Sequence, residues 1–219
     1  MRGTWLCALC KRSLPRLDVG ICYRCGAPVQ PICGHCADLD RCVSMARSAY
    51  AYTGWVPNAV KAFKYGDEWS RGPDLARHML AAIADLGPVD IVVPVPLHAN
   101  KLRTRGYNQS RMLADGVADA LGARCLPLVT RVRETAPQVT LDRESRQANV
   151  RGAFALDPAY APPPGLRFLL VDDVRTTCST INACALALSQ LVPARISVAT
   201  FALDLQAREL KPWMDEYAR

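Results

Sequence analysis

From about residue 45 onward the apolar residues of this chain fall into two alternating rhythms, one suited to strands and one to helices. RSAYAY (47–52) reads as a strand. Ala76, Met79, Leu80 and Ile83 fall at i, i+3, i+4 and i+7, the single stripe of an amphipathic helix. VDIVVPV (89–95) is a short β-branched run of the kind that fills a strand buried on both faces. Leu113, Gly116, Val117, Ala120 and Leu121 repeat the helical stripe with Gly122 as its stop signal, and RCLPLV (124–129) reads as the next strand. About twenty residues with little periodicity follow, and APPPG (161–165) is a rigid loop. Beyond it come the buried strand LRFLLV (166–171), a helix with Ile181, Cys184, Ala185 and Leu188 on one face, and the strand ISVATFAL (196–203). This alternation predicts an α/β fold, a parallel sheet with helices on both faces.

Before residue 45 the periodicity is missing and Cys, Gly and Pro take over, which divides the chain into a Cys-rich module over 1–45 and an α/β domain over 46–219. A chain of 219 residues, half of them hydrophobic, builds one good core, so the module is an appendage rather than an equal domain. Seven of the ten cysteines precede residue 43, six of them in the pairs CALC (7–10), CYRC (22–25) and CGHC (33–36). Each pair sets two thiols on a tight knuckle, and two knuckles complete a tetrahedral zinc site. The C-x2-C-x11-C-x2-C spacing assigns Cys7, Cys10, Cys22 and Cys25 first, with Cys33 and Cys36 either spare or able to replace one pair. His35 and Cys42 offer a second, irregular set. Four protein ligands leave no open position, so such a zinc is structural. No apolar run reaches the roughly 18 to 20 residues of a membrane span, and the N-terminus lacks a long apolar stretch. The expectation is a cytoplasmic protein with reduced thiols and no membrane insertion.

The chemistry concentrates in VDDVRTTCST (171–180), where Asp172 and Asp173 close an apolar strand and small hydroxylic residues lead into a helix. Ligands of open α/β sheets bind beyond the carboxyl ends of the strands. Adjacent strand residues point to opposite sides, so one acid can face a crevice while the other meets structure. Carboxylates accept bonds from vicinal sugar hydroxyls, and amides with Thr or Ser hydroxyls at a helix start suit a phosphate. Together they describe a ribose phosphate; the plain alternative is a helix N-cap. A magnesium ion here has a site built mostly by its substrate. From 97 to 151, ten Lys and Arg outnumber five Asp and Glu within a net charge of +7, which suits a polyanionic partner or a solvated basic face. LRTRGYNQSR mixes Arg103, Arg105 and Arg111 with Tyr107 and Asn108, able to meet phosphates and stack a base. No Ser, His and Asp set for covalent catalysis stands out.

FLLVDDVRTTCST resembles the phosphoribosyl-diphosphate signature of type I phosphoribosyltransferases. Two longer blocks resemble the ComF family of competence-associated, phosphoribosyltransferase-like proteins. VVPVPLHANKLRTRGYNQSRMLA (92–114) does so through Arg103, Arg105, Gly106, Asn108 and Gln109, and RVRETAPQVTLDRESRQANVRGAF (131–154) through Arg131, Thr135, Gln138, Leu141, Arg143, Arg146, Asn149 and Phe154. The Cys-rich N-terminus resembles that family's zinc-ribbon module. The resemblance implies a phosphoribosyltransferase-like domain with Asp172 and Asp173 on the ribose hydroxyls and Thr176, Thr177, Cys178, Ser179 and Thr180 around the 5-phosphate. It implies His98, Lys101 and Arg103 near the diphosphate, and a basic hood over 131–150 in which Arg131, Arg143 and Arg146 join Arg105 around the site. It further implies phosphoribosyl diphosphate or a related ribose phosphate as ligand, magnesium with the substrate, and displacement of diphosphate at the anomeric carbon as the reaction of any enzyme. Single-stranded DNA and competence or helicase proteins are the implied partners. The rival from another class is a non-catalytic protein that binds or processes single-stranded DNA and keeps the sugar-phosphate pocket. One departure stands out: the family's loop commonly reads TTG where this chain has Cys178. A positive φ there costs a non-glycine residue on the order of 1 to 2 kcal/mol; ordinary helical angles leave only the volume of the side chain to matter, and a reactive thiol at a helix start is a third reading.

Overall fold

The apolar runs read above assemble side by side. In the computed structural model, which describes residue 10 and residues 13–29, 33–66, 69–133, 152–191 and 194–217, five strands form one parallel sheet. They are β1 (Val43–Ala51), β2 (Ile91–Pro94), β3 (Arg124–Cys125), β6 (Arg167–Arg175) and β7 (Arg195–Leu203), in the order β1-β7-β6-β2-β3. Two short strands, β4 (Val129–Arg131) and β5 (Phe154–Leu156), pair antiparallel in a separate ribbon. The expected strand over 124–129 is therefore split, because the chain leaves the sheet after Cys125 and its last residue belongs to the ribbon. Pro127 stands in the gap, where its missing N–H favours a break.

Helices α1 (Val56–Tyr65), α2 (Gly72–Ile83) and α4 (Gln109–Leu121) bury Phe63, Met79 and Leu113 on one face of the sheet, against Val92, Leu169 and Phe201. The short helix α3 (Ala99–Arg105) connects β2 to α4. The opposite face carries α5 (Ser179–Leu188), the β4–β5 ribbon, the Cys-rich module through Leu17, Cys25 and Leu39, and Trp213 of α6 (Ala207–Tyr217). The module is thus part of the core rather than a tethered bead. Leu17 donates to Ala49 of β1 at 3.1 Å, and the Trp213 indole donates to the Val19 carbonyl at 3.2 Å.

Connections from β2 run to one side of the sheet, through α3 and α4 to β3, while those from β6 run to the other, through α5 to β7. The loops beyond β2 and β6 therefore diverge and open a crevice at this switch point. β2 ends at Pro94, opposite Val171, so Asp172 and Asp173 lie where one neighbour of β6 has stopped.

Candidate functional site

A cavity of about 690 Å³ occupies that crevice. Its wall contains both acids and Arg175 of β6, then Thr176 and Cys178 of the following loop and Ser179 and Thr180 at the start of α5, with Lys64, Lys101, Arg105 and Arg131 among the other lining residues. Of the residues expected to hold a ribose phosphate, Asp172, Asp173, Thr176, Cys178, Ser179, Thr180 and Lys101 line it, as do Arg105 and Arg131. Thr177, His98 and Arg103 do not. Thr177 pairs its hydroxyl with that of Ser179 at 3.0 Å, His98 caps α3 by accepting from the Asn100 amide at 3.3 Å, and Arg103 turns to Asn100 on the exposed side of α3. Arg143 and Arg146, and most of the expected hood, lie outside the described residues.

The two acids occupy different surroundings. Asp173 is buried, and its Oδ2 lies 2.6 Å from Nζ of Lys64, at the last turn of α1. Burial works to discharge Lys64, but the Asp173 charge outweighs it and holds the ammonium above its ordinary value. Asp172 is half-buried and accepts from the Ser110 hydroxyl at 2.7 Å and from the Asp173 amide at 2.9 Å. Burial, and then repulsion by Asp173, pushes its carboxyl up to about 7 despite those bonds. Ser110 is held in place by Asn108, whose side chain accepts from the Ser110 amide and donates to the Val95 carbonyl, both at 3.0 Å. That capping pair pins the start of α4 to the end of β2. The sequence motifs do not single out Lys64 or Ser110. Ser110 lies inside the 92–114 block, whereas the signal for Lys64 is the stripe of Val56, Val60 and Phe63 that makes α1 a helix.

Cys178 has φ 59° and ψ −2°, and it is the one non-glycine residue with positive φ among the described residues. The loop takes the left-handed conformation that glycine adopts without cost, and the reading of ordinary helical angles is not what the structure shows. The thiol is buried rather than presented to solvent.

In the N-terminal module the second and third cysteine pairs come together. The Sγ atoms of Cys22, Cys25, Cys33 and Cys36 all lie within 4.8 Å of one another, with Cys25–Cys33 at 3.2 Å, Cys22–Cys36 at 3.4 Å and Cys33–Cys36 at 3.7 Å. Four sulfurs about 2.3 Å from a tetrahedral zinc stand about 3.8 Å apart, so the donor set fits such an ion, while the spacing is far too long for disulfides of about 2.05 Å. Of the sets that spacing leaves open, the one that comes together among the described residues is the one in which Cys33 and Cys36 stand in for the first pair; Cys7 lies outside the described residues, and Cys10 is not in the cluster. The reason is packing. Gly26, with φ +66°, lets the first knuckle pass against β1, where an added Cβ would stand 2.6 Å from the Ala46 carbonyl oxygen. Arg24 then bonds the carbonyls of Cys36, Leu39, Asp40 and Val43 and draws the other knuckle in. His35 instead pairs with Glu209 of α6 at 2.9 Å, and Cys42 is outside the cluster, so the irregular second set does not form among the described residues. Against the cost of burial, backbone bonds from Cys25 and Arg24 and the thiols of Cys36 and Cys33 bring Cys22 down to about 7; burial pushes Cys25 well up. A metal entering here must displace protons from crowded thiols.

No protein-family model matches the chain. It is similar to the DNA utilization protein YhgH of Salmonella typhi, 33% identical over 190 residues that cover 82% of each chain. It is also similar to competence protein F of Haemophilus influenzae, 28% identical over 215 residues that cover 88% of this chain and 94% of the relative. Among solved structures, an adenine phosphoribosyltransferase from Saccharomyces cerevisiae overlaps 68% of this chain and 75% of its own at 18% identity, a distant likeness with a TM-score of 0.37. With one residue in three shared over most of the length of a curated relative, and a competence protein matched almost end to end, the chain belongs to the ComF family.

Proposed function

We propose that the crevice binds the ribose 5-phosphate part of phosphoribosyl diphosphate and transfers it to an acceptor with release of diphosphate. The observation that carries this reading is the placement of the acidic pair and the hydroxyl-bearing loop on one wall of a single cavity that Lys101, Arg105 and Arg131 also line. Asp172 offers its free lone pairs to the sugar diol, the loop hydroxyls and amides take the 5-phosphate, and the cations neutralise the departing diphosphate. The bond from the anomeric carbon to diphosphate oxygen breaks with its electron pair as the acceptor's bond forms. These residues orient and neutralise; none acts as a nucleophile. With Asp173 engaged by Lys64 and Asp172 half-protonated near neutrality, the acids do not form a ready divalent-cation site. Magnesium would arrive on the diphosphate, where it screens the leaving group's charge. The test is calorimetric titration with magnesium phosphoribosyl diphosphate. Saturable binding that Asp172→Asn weakens at least about tenfold supports the reading; no saturable binding to the zinc-loaded protein overturns it.

A second reading concerns nucleic acid, and a specific feature favours it. A neighbouring cavity of about 460 Å³ is lined by Lys64, Tyr65, Lys101, Arg105 and Tyr107 with Asn100 and Thr104, with no carboxylate among the described residues that line it. Tyr65 is 72% exposed, with the Arg105 guanidinium 5.0 Å from its ring centroid. A ring, a guanidinium plane and cations beside a ribose-phosphate pocket suit a single strand, in keeping with relatives named for DNA utilization and competence.

A further inference from the structure

The loop after β6 is tied at both ends to the Cys-rich module. Arg175 is the last residue of β6 and directly precedes the loop; it is 2% exposed and forms no ion pair among the described residues. Its Nη2 donates to the Cys25 carbonyl at 2.6 Å, and its Nε has no partner there. A buried guanidinium is costly without opposite charge near it, and Cys25, whose carbonyl Arg175 bonds, belongs to the cluster. A zinc ion held there by four thiolates would carry a net charge of about −2 and add to the opposite charge around Arg175. Asn182 stands in the first turn of α5, directly after the loop, and its amide bonds the Cys178 carbonyl at 2.8 Å. Its side chain donates to the Asp38 carbonyl at 2.7 Å and accepts from the Asp40 amide at 3.0 Å. Cys25 belongs to the first knuckle, and Asp38 closes the 3-10 turn that contains Cys36 of the second.

Each end of the phosphate loop is therefore anchored beside a different knuckle, and a bound metal would tie the two knuckles together in addition to the bonds of Arg24. We infer that the four-cysteine centre sets the shape of the phosphate loop through Arg175 and Asn182, so that metal occupancy and ribose-phosphate binding are linked. Arg175 and Asn182 are positioning residues. The bonds from Arg24 to the second knuckle bridge the module without metal, so the coupling is partial rather than a switch between folded and unfolded states. Only the phosphate in this statement rests on the proposed function; the tie between cluster and loop stands on the contacts themselves.

The test uses the full chain and two readouts that need no ligand. Hydrogen exchange of the amides of 176–182 is compared in zinc-loaded and chelator-stripped protein, with β2 as internal control. Stripping is expected to speed loop exchange about tenfold in the wild type, and by less than about twofold in an Arg175→Met, Asn182→Ala variant whose loop already exchanges fast with zinc bound. Loop exchange indifferent to metal in the wild type, or equally sensitive in both proteins, overturns the inference. Should stripping unfold the whole chain, visible as exchange in β2, zinc release to a chromogenic chelator decides instead. By reciprocity the double variant is expected to bind zinc at least about threefold more weakly in competition with that chelator, and an unchanged affinity overturns the link. Ribose 5-phosphate, added last, should tighten zinc binding by the wild type; failure of that step alone counts against the ligand reading and leaves the link standing.

Discussion

Two residues at the crevice hold energy that ordinary substitutions can read out. Cys178 sits at φ 59° with a buried side chain, so two effects oppose each other there. Glycine relieves the left-handed strain, on the order of 1 to 2 kcal/mol, but leaves the sulfur's space empty; alanine empties nearly the same space and keeps the strain. Comparing Cys178→Gly with Cys178→Ala isolates the backbone term, and the glycine variant is expected to be the more stable by about 1 kcal/mol in urea denaturation. Equal midpoints would show that the loop relaxes to other angles. Asp172 makes a pH prediction. Its folded pKa of about 7 lies above that of an exposed carboxylate, first because of burial and then because of Asp173. The folded state thus binds more protons than the unfolded one between about pH 4 and 7, so stability contributed by this group is full below that window and lost as pH rises through it. Asp172→Asn, which cannot ionise, is expected to gain stability relative to the wild type on going from pH 5 to pH 8, by about 2 kcal/mol, while losing the ribose site. A stability difference flat in pH would place the titration elsewhere.

At the scale of elements, the site depends on how closely α4 approaches α2, because α4 presents Ser110 to Asp172. Gly116 makes that approach possible: a Cβ built there stands 2.7 Å from the Ala76 Cβ. Gly116→Ala gains up to about 1 kcal/mol of helix propensity but overpacks the contact by about 1 to 3 kcal/mol. The expected net is a destabilisation of about 1 kcal/mol with weaker ribose-phosphate binding, seen by thermal melting and calorimetry on the same preparation. The same elements show what was legible in the sequence. β6, β7, α2 and α4 were readable because their apolar spacing is set by burial against one sheet, and the acidic pair was readable because it ends such a run. α1 was not, since Val56, Val60 and Phe63 are its only buried residues and the rest of its surface is polar or partly exposed. α6 carries Pro212 and, among the described residues, a mostly polar surface around the buried anchor Trp213. The cysteine spacing could not choose among three similar pairs, because Gly26 against β1 and the reach of Arg24 make that choice. Lys64 is distant in sequence from Asp173, and only the packing of α1 on the sheet brings the two together.

For the whole molecule, the net charge of +7 matters through where its cations stand. Lys64, Lys101 and Arg105 line both cavities and Arg131 the first, with Lys64 already paired to Asp173 and Arg175 turned to the Cys25 carbonyl. A single strand lying across the two cavities therefore meets about three phosphate-binding cations. Counterion release then sets the slope of log affinity against log salt at about −0.7 per phosphate neutralised, or about −2 in all. Arg105→Glu removes one contact and adds a like charge to the strand, so the slope should fall towards about −1, with affinity at low salt reduced about tenfold. If the strand's end uses the ribose-phosphate pocket, saturating ribose 5-phosphate should displace an oligonucleotide carrying a 5′-phosphate and spare one without it. Fluorescence anisotropy over a salt series, run with both oligonucleotides on wild type and Arg105→Glu, makes the measurement. Binding that ignores salt, or that Arg105→Glu leaves untouched, would remove nucleic acid from these cavities and leave the proposed ribose-phosphate ligand alone as a reading of the crevice.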